Sequence, residues 1–180
     1  ICAEYSYNGR STGGFGSYIH NIAQTLVNLG HSITIICQGN TDDYIKFQGI
    51  KIYTIKRIFS FHKNIFNYFP LSIIKRIGDF IAYPFLFSYF SAQLLEQLNS
   101  KSKFDIVEGG DFAGELFFYL LKRHSTLPKI IIKLHTPSFL IRKYSQERKS
   151  LFYLIIEKIE MYCLRKVDAL YSPTRSLAHI

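Results

Sequence analysis

The chain has 180 residues, 48% of them hydrophobic, and a formal net charge of +9 at pH 7. This length suits one domain with a packed core, and the hydrophobic fraction excludes a disordered chain. The basic residues are scattered among apolar ones, which argues against nucleic acid as a partner and leaves an anionic substrate or an anionic membrane surface. The cysteines lack the spacing of a zinc site and are predicted to be buried, reduced thiols of a cytoplasmic protein: Cys2, Cys37 and Cys163.

A glycine-rich turn at residues 12–18 leads directly into a predicted amphipathic helix. The first N–H groups of a helix have no partner within it, so such a turn can hold a phosphate or diphosphate. The alternative is a turn that only reverses the chain. The turn is not a P-loop, since Ser17 and Tyr18 follow its last glycine, and it is not the dinucleotide fingerprint, since Ile19 replaces the third glycine. The predicted buried face of the helix is Ile19, Ile22, Ala23, Leu26 and Leu29, with Gly30 as its stop.

Short β-branched runs alternate with helical patterns along the rest of the chain. Strands are predicted at residues 1–6, 32–37, 49–55, 104–108, 129–134 and 169–174. Helices are predicted at residues 85–98, 113–123 and 151–166, the last with Leu154, Ile155, Ile159 and Tyr162 facing inward. The alternating pattern of residues 49–55 is typical of an edge or half-exposed strand. This order predicts a doubly wound α/β fold, a mostly parallel Rossmann-like sheet with helices on both faces.

The region from residue 56 to 98 is basic and aromatic and contains Pro70 and Pro84, which are predicted to break it into pieces. One interpretation is a set of amphipathic helices on an anionic bilayer surface. The other, which we favour, is a helical insertion whose aromatic side chains pack on the sheet. The longest uncharged apolar run, residues 80–95, is shorter than the roughly 20 residues that a spanning helix needs, so no membrane span is predicted.

Polar residues at predicted strand ends are the candidates for chemistry. His135 follows an apolar strand, and in open α/β sheets ligands bind at the carboxyl ends of the strands. The alternative is a structural histidine. Glu108 and Asp111 follow another strand and could bind sugar hydroxyls or act as a base, or they could be solvated loop carboxylates. Glu157 and Glu160 are predicted to be solvated or ion-paired. The hydroxyls of Ser172 and Thr174 are predicted to cap the helix near residue 176.

Four motifs follow one another along the chain: residues 13–18 leading to Ala23, Leu26, Gly30, His31 and residues 33–35; residues 104–108; residues 134–137; and Glu160 followed by residues 167–174. Taken in this order, they resemble the N-terminal domain of family 4 glycosyltransferases, the retaining GT-B group. Their order and spacing over almost the whole chain make the resemblance specific. The region from residue 56 to 98 does not match the family pattern.

The resemblance implies that residues 1–180 form the acceptor-side domain of an enzyme, with the region at about 56–98 as an insertion. The C-terminal, donor-binding domain is absent from this chain, which alone is expected to be inactive. The family transfers a sugar from a nucleotide diphosphate-sugar to a hydroxyl with retention, and it usually needs no metal or cofactor. The implied site residues are His135 as the catalytic group, Gly14, Phe15 and Gly16 at the donor diphosphate, and Glu108, Asp111, Thr136 and Ser172 at the acceptor or sugar.

The implied partners are a nucleotide-sugar donor and a sugar or lipid-linked acceptor, with an anionic membrane surface as a further candidate and no nucleic acid. The basic, aromatic insertion favours a cytoplasmic protein, peripheral at the inner face of the cytoplasmic membrane, in cell-envelope polysaccharide or glycolipid synthesis. Two alternatives stand beside this hypothesis. One is a non-catalytic α/β module that binds a partner or a membrane, and the other is a related epimerase that cleaves its donor with water.

Overall fold

The computed structural model describes residues 1–5, 14–56, 72–122, 128–145 and 151–178, without the side chains of residues 72–83, 145 and 152. The chain divides into two compact units, Ile1–Arg57 and Ile58–Ile180. Each unit contains a three-stranded sheet. Among the described residues, three of the four strand pairings are parallel. The predicted α/β class with mostly parallel strands is therefore confirmed.

The first unit packs one helix on a small mixed sheet. Its elements are α1 (Gly14–Asn28), β1 (Thr34–Gly39), β2 (Asp43–Phe47) and β3 (Ile50–Lys56). The sheet order is β1-β3-β2, with β1 parallel and β2 antiparallel to β3. Because successive side chains of a strand point to opposite faces, alternate residues of β1 and β3 can meet α1. The buried core of this unit is Cys2, Tyr5, Ile19, Ala23, Ile35, Cys37, Ile50 and Ile52.

Helix α1 ends in a glycine C-cap, as predicted. Gly30 has a φ of +88°, and the N–H of His31 donates to the carbonyl of Leu26 at 3.0 Å, which is the pattern of a Schellman motif. Leu29 was expected on the buried face, but its side chain is 69% exposed. The reason is that the helix has already ended at Asn28, so the helical spacing no longer applies to Leu29.

The first residues run beside β1 without forming the predicted strand. The N–H of Cys2 donates to the carbonyl of Ile36 at 3.0 Å, and the N–H of Gln38 donates to the carbonyl of Ala3 at 3.4 Å. The described residues 1–5 then enter a turn. The described part of this segment therefore lies beside β1 with backbone hydrogen bonds to it but is not a regular strand.

The hairpin of β2 and β3 is missing from the sequence-based prediction. Its two-residue turn places Gln48 at φ 48° and Gly49 at φ 82°, and it pairs Phe47 with Ile50. Both central residues have positive φ, as in a type I′ turn, for which Gln-Gly is a weaker signal than Asn-Gly. The hairpin makes β3 the central strand, so the edge-strand alternative for residues 49–55 is wrong. The alternation of buried and partly buried residues in most of β3 agrees with the other alternative, a half-exposed strand.

The second unit surrounds an all-parallel sheet with helices. Its elements are α2 (Ser72–Lys101), β4 (Ile106–Gly110), a 3-10 turn (Phe112–Gly114), α3 (Phe117–Leu121), β5 (Lys129–Lys133), α4 (Ser138–Ser145), α5 (Leu151–Lys166), β6 (Ala169–Tyr171) and α6 (Arg175–Ala178). The sheet order is β4-β5-β6, which makes β5 the central strand. The predicted helix at residues 113–123 is shorter because Ala113 and Gly114 have φ values of 56° and 67°, which no α-helix contains.

Helix α2 contains the predicted helix at residues 85–98 and extends beyond it. Pro84 lies inside α2, so the prediction that it breaks this region is wrong. Proline removes one N–H from the helix ladder and its ring crowds the carbonyl four residues earlier, but a helix of 30 residues can continue past this local cost. Phe85 and Tyr89 make edge-to-face ring contacts with Phe118, at 6.2 and 5.4 Å. This part of the aromatic region therefore packs on α3, while residues 57–71 lie outside the described chain.

Helix α5 has the predicted bounds but a rotated buried face. Leu154 and Ile155 were expected to face inward, yet they are 38% and 37% exposed. Among the described side chains of α5, the buried ones are Ile156, Glu160 and Cys163, which share one helical face. Ile159 and Tyr162, which were also expected to face inward, are partly buried, so the predicted face is only partly correct.

The register of β6 on β5 is fixed by an aspartate. The N–H of Ile130 donates to Asp168 Oδ2 at 2.7 Å, and the N–H of Asp168 donates to the carbonyl of Ile130 at 2.9 Å. Asp168 also pairs with Lys129, at 3.4 Å between Nζ and Oδ1. No helix in the part of the chain that the structure describes is long and apolar enough to cross a membrane.

Candidate functional site

The carboxyl ends of the second sheet gather most of the candidate residues. Strands β4, β5 and β6 are parallel, so their carboxyl ends lie at one edge of the sheet. Asp111 directly follows β4, His135 follows β5 by two residues, and Ser172 directly follows β6. Glu108, by contrast, lies inside β4 because that strand continues through Gly110, so its prediction as a residue beyond the strand end is corrected.

Asp111 ties the end of β4 to the segment after β5. Its side chain is buried, and its Oδ2 accepts the backbone N–H of His135 at 2.9 Å. Burial raises the pKa of the Asp111 carboxyl, and hydrogen bonds from the backbone of His135, Asp111, Thr136 and Phe112 oppose that rise. The hydrogen bond from His135 to Asp111 fixes the backbone that carries the imidazole of His135.

Glu160 makes a second connection between the same two segments. Its side chain is 0% exposed. Its Oε1 accepts the N–H of Ala113 at 2.8 Å and the O–H of Ser138 at 2.6 Å, and its Oε2 accepts the N–H of Ser138 at 2.9 Å. Burial raises the pKa of Glu160, its hydrogen bonds lower it, and the nearby charge of Asp111 raises it further. The prediction that Glu160 is solvated or ion-paired is therefore wrong.

One face of the second sheet carries polar side chains. The register aligns Gly110, Lys133 and Tyr171, and Glu108 points to the same face because it lies two residues before Gly110. The O–H of Tyr171 donates to Glu108 Oε1 at 2.6 Å, which links the two outer strands across β5. Lys133 is only 9% exposed. Burial lowers the pKa of its ammonium group, and the carboxylate of Glu108 opposes that effect.

His135 is electrostatically part of this group. Its Nε2 is shielded from solvent. Burial lowers the pKa of His135, the charge of Lys133 lowers it further, and Glu108 acts in the opposite direction. The imidazole is therefore held toward its neutral form near pH 7. We call Glu108, Lys133, His135 and Tyr171 the strand-end cluster.

The remaining hydroxyls of the predicted site make local hydrogen bonds. The O–H of Thr136 donates to the carbonyl of His135 at 2.6 Å, and the O–H of Ser172 donates to the carbonyl of Thr174 at 2.8 Å. Thr174 Oγ1 accepts the N–H of Leu177 at 3.2 Å, so the predicted cap of α6 is present. Thr136 and Ser172 lie at the same sheet edge as the cluster, with their hydroxyl protons used within their own turns.

The glycine turn belongs to the first unit. Helix α1 begins at Gly14, so Gly14, Phe15 and Gly16 form its first turn, which confirms the predicted position of Gly14 and Gly16 at a helix N-terminus. Residues 14–18 are helical and not part of a turn, and residues 12–13 lie outside the described chain. No described atom lies within 4 Å of the position that a Cβ on Gly14 would occupy. A helix N-terminus with an open glycine allows an anion to approach the main chain closely.

A comparison with protein-family models matches residues 12–180 to the model described as Glycosyltransferase Family 4. The chain belongs to this family. Glycosyltransferase family 4 membership implies a nucleotide-sugar donor and a sugar acceptor in general terms, and it agrees with the resemblance carried by the four sequence motifs. A comparison with curated proteins found no match.

Three residues at this edge of the sheet in the family 4 chain were not predicted as site residues from the sequence: Glu160, Lys133 and Tyr171. One signal could have identified Glu160. Helix α4 starts at Ser138, directly after Pro137, which has no side-chain oxygen to cap a helix. The helix start therefore needed an acceptor from elsewhere in the chain. A charged residue at the end of an apolar run, such as Lys133, gives no comparable signal because most such residues are solvated.

The arrangement can bind and orient hydroxyl-rich ligands. A neutral imidazole donates from one ring nitrogen and accepts at the other, and carboxylates are strong acceptors for sugar hydroxyls. Among the described residues, no group of three or more His, Cys, Asp or Glu side chains is arranged to hold a metal ion. The chemistry that these residues offer is positioning and hydrogen bonding around His135.

Proposed function

We propose that the chain is the acceptor-side domain of a retaining glycosyltransferase, spanning residues 1–180 with an insertion at about 56–98. The enzyme would transfer a sugar, specifically a hexose, from a nucleotide diphosphate-sugar to an acceptor hydroxyl. Family membership supports sugar transfer. The observation that carries the assignment to this site is the position of His135, at the carboxyl edge of the parallel sheet with its backbone N–H bound by buried Asp111.

In the proposed reaction, the bond between the anomeric carbon and the diphosphate oxygen breaks, and the diphosphate leaves with the electron pair. The acceptor oxygen then bonds to the anomeric carbon on the same face of the sugar, and its proton passes to the departing diphosphate oxygen. His135 hydrogen-bonds the sugar or the incoming hydroxyl, with Glu108, Asp111, Thr136 and Ser172 as the neighbouring polar groups. The helix N-terminus at Gly14, Phe15 and Gly16 would stabilise the negative charge that develops on the diphosphate, together with a second, donor-binding domain.

We further propose a lipid-linked or cell-envelope acceptor, met at the inner face of the cytoplasmic membrane. The net charge of +9 and the basic residues of the region from 56 to 98 support it, since basic segments are attracted to anionic lipid. Co-sedimentation with vesicles of phosphatidylcholine, with and without phosphatidylserine, tests this proposal. Binding that requires phosphatidylserine supports it, and equal recovery with both vesicles contradicts it.

The reaction itself is tested by nucleoside diphosphate release from a panel of nucleotide-sugars, using the intact protein with and without a membrane extract as acceptor. We expect release from one donor and a large loss in the His135→Ala variant. Turnover of that variant within about twofold of the parent would refute the role of His135, since a positioned acid, base or orienting group contributes far more. No release by folded protein with any donor would instead favour a non-catalytic binding module.

A further inference from the structure

The segment that carries His135 is held on both sides by buried carboxylates from different elements. On one side, Asp111 Oδ2 accepts the N–H of His135 at 2.9 Å. On the other, Glu160 accepts both the N–H and the O–H of Ser138, three residues later. Between these two anchors there are only Thr136 and Pro137. The backbone of this short segment therefore has little freedom to move once both carboxylates are in place.

Glu160 also controls the turn that presents Asp111. Its Oε1 accepts the N–H of Ala113, two residues after Asp111, at 2.8 Å. Ala113 has a φ of 56°, in the left-handed region that an alanine rarely adopts. A hydrogen bond from a buried carboxylate is the kind of surrounding structure that can maintain such a conformation. One side chain thus fixes the turn after β4 and the start of α4 at the same time.

We propose that Glu160 is a positioning residue for His135. It acts through backbone groups of the two neighbouring segments and does not touch the sugar, the diphosphate or the acceptor. Its catalytic consequence rests on the proposed function, whereas its effect on the geometry of His135 does not. Loss of its carboxylate should displace the imidazole of His135 even in a protein that stays folded.

The test compares two glutamates of the same helix. Glu160→Gln keeps the shape of the side chain but offers one acceptor oxygen where the backbone supplies donors for two. Glu157→Gln makes the same change one turn earlier on α5, where it breaks the bidentate pair with Arg142 of α4. Both variants lose a contact between α5 and α4, but only the first removes a hydrogen bond to the segment that carries His135.

The readout is the imidazole resonance of His135 in the intact protein labelled with 13C at histidine Cε1. The chain has six histidines, and the resonance of His135 is the one lost in a His135→Gln variant. We expect Glu160→Gln to shift this resonance by more than its line width and Glu157→Gln to leave it in place. If both variants leave it in place, or if both shift it equally, Glu160 is not a positioning residue.

A third variant covers the case in which Glu160→Gln does not fold. Ser138→Ala removes only the hydroxyl bond to Glu160 and keeps the backbone bond, so it should give a smaller shift of the same resonance. An unchanged resonance in Ser138→Ala, with Glu160→Gln unfolded, overturns the proposal.

Activity gives an independent readout. We expect kcat of Glu160→Gln to fall by about 10–100-fold, the scale of a reacting group misplaced by about 1 Å, with the donor KM nearly unchanged. A rise in donor KM with kcat unchanged would contradict positioning of His135. If the parent protein transfers no sugar, the proposed function fails, and the resonance of His135 still decides whether Glu160 holds it.

Discussion

Replacing Gly114, which lies in the turn after β4, by alanine should destabilise the protein strongly. Gly114 has a φ of +67°, and a Cβ there would lie 2.5 Å from Cγ2 of Ile159 on α5. The left-handed conformation costs an alanine about 1–2 kcal/mol. Forcing a methyl group into packed core costs about 1–3 kcal/mol. Together they reduce the free energy of unfolding by roughly 2–5 kcal/mol, or the melting temperature by roughly 4–20 °C for a chain of this length.

Urea unfolding followed by circular dichroism measures this loss, with two other glycines as matched controls. Gly109→Ala has no unusual φ but would place its Cβ 2.8 Å from the side chain of Leu116, so about 1–3 kcal/mol is expected from overpacking alone. Gly14→Ala meets no described atom within 4 Å and gains helix propensity, so it should be neutral or stabilising by up to about 1 kcal/mol. If Gly114→Ala is no less stable than Gly14→Ala, the described conformation of the turn is wrong.

The start of α1, the charges around His135 and the buried thiols give three further predictions. Gly14→Ala should leave stability intact but raise the donor KM if a diphosphate binds at the start of α1. An unchanged donor KM would contradict a diphosphate site there. The pKa of His135, measured by NMR titration, should lie below 6.5. Lys133→Gln should raise this pKa and Glu108→Gln should lower it further, and pKa shifts in the opposite directions would refute the described strand-end cluster. Burial raises the pKa of the Cys37 and Cys163 thiols to about 12. Iodoacetamide at pH 8 should therefore modify them only after the protein unfolds, which mass spectrometry can measure.

Elements with a strong apolar period could be predicted from the sequence, and elements that depend on turn conformation could not. Helix α1 ends where its apolar period and Gly30 predict, because Gly30 takes the positive φ of a helix C-cap. The hairpin at Gln48 and Gly49 was missed because its turn depends on two positive φ angles that Gln-Gly does not strongly indicate. The effect of Pro84 on the helix was overestimated, because one missing N–H does not end a helix that is otherwise long and continuous.

The placement of the site could be predicted further than its chemistry. Parallel strands bring their carboxyl ends to one edge, so the positions of Asp111 and His135 follow from strand order alone. The lowered pKa of His135 could not be predicted, because it depends first on burial and then on Lys133 and Glu108, which lie on two strands 25 residues apart in sequence. Nothing in a linear pattern states which charges a fold will bring together.

Glu160 shows why a buried charge is hard to predict and informative once found. A buried carboxylate is costly unless donors surround it, and the donors of Glu160 come from Ala113 and Ser138, which lie 47 and 22 residues away in sequence. Those donors are mostly backbone groups, which every residue type possesses, so no side-chain motif announces them. Substitution of Glu160 is also limited, because no other standard residue places two acceptor oxygens at the same distance from the backbone. Among the described residues, Glu157 pairs with the partly exposed Arg142, so a change there should be tolerated far better than the same change at Glu160.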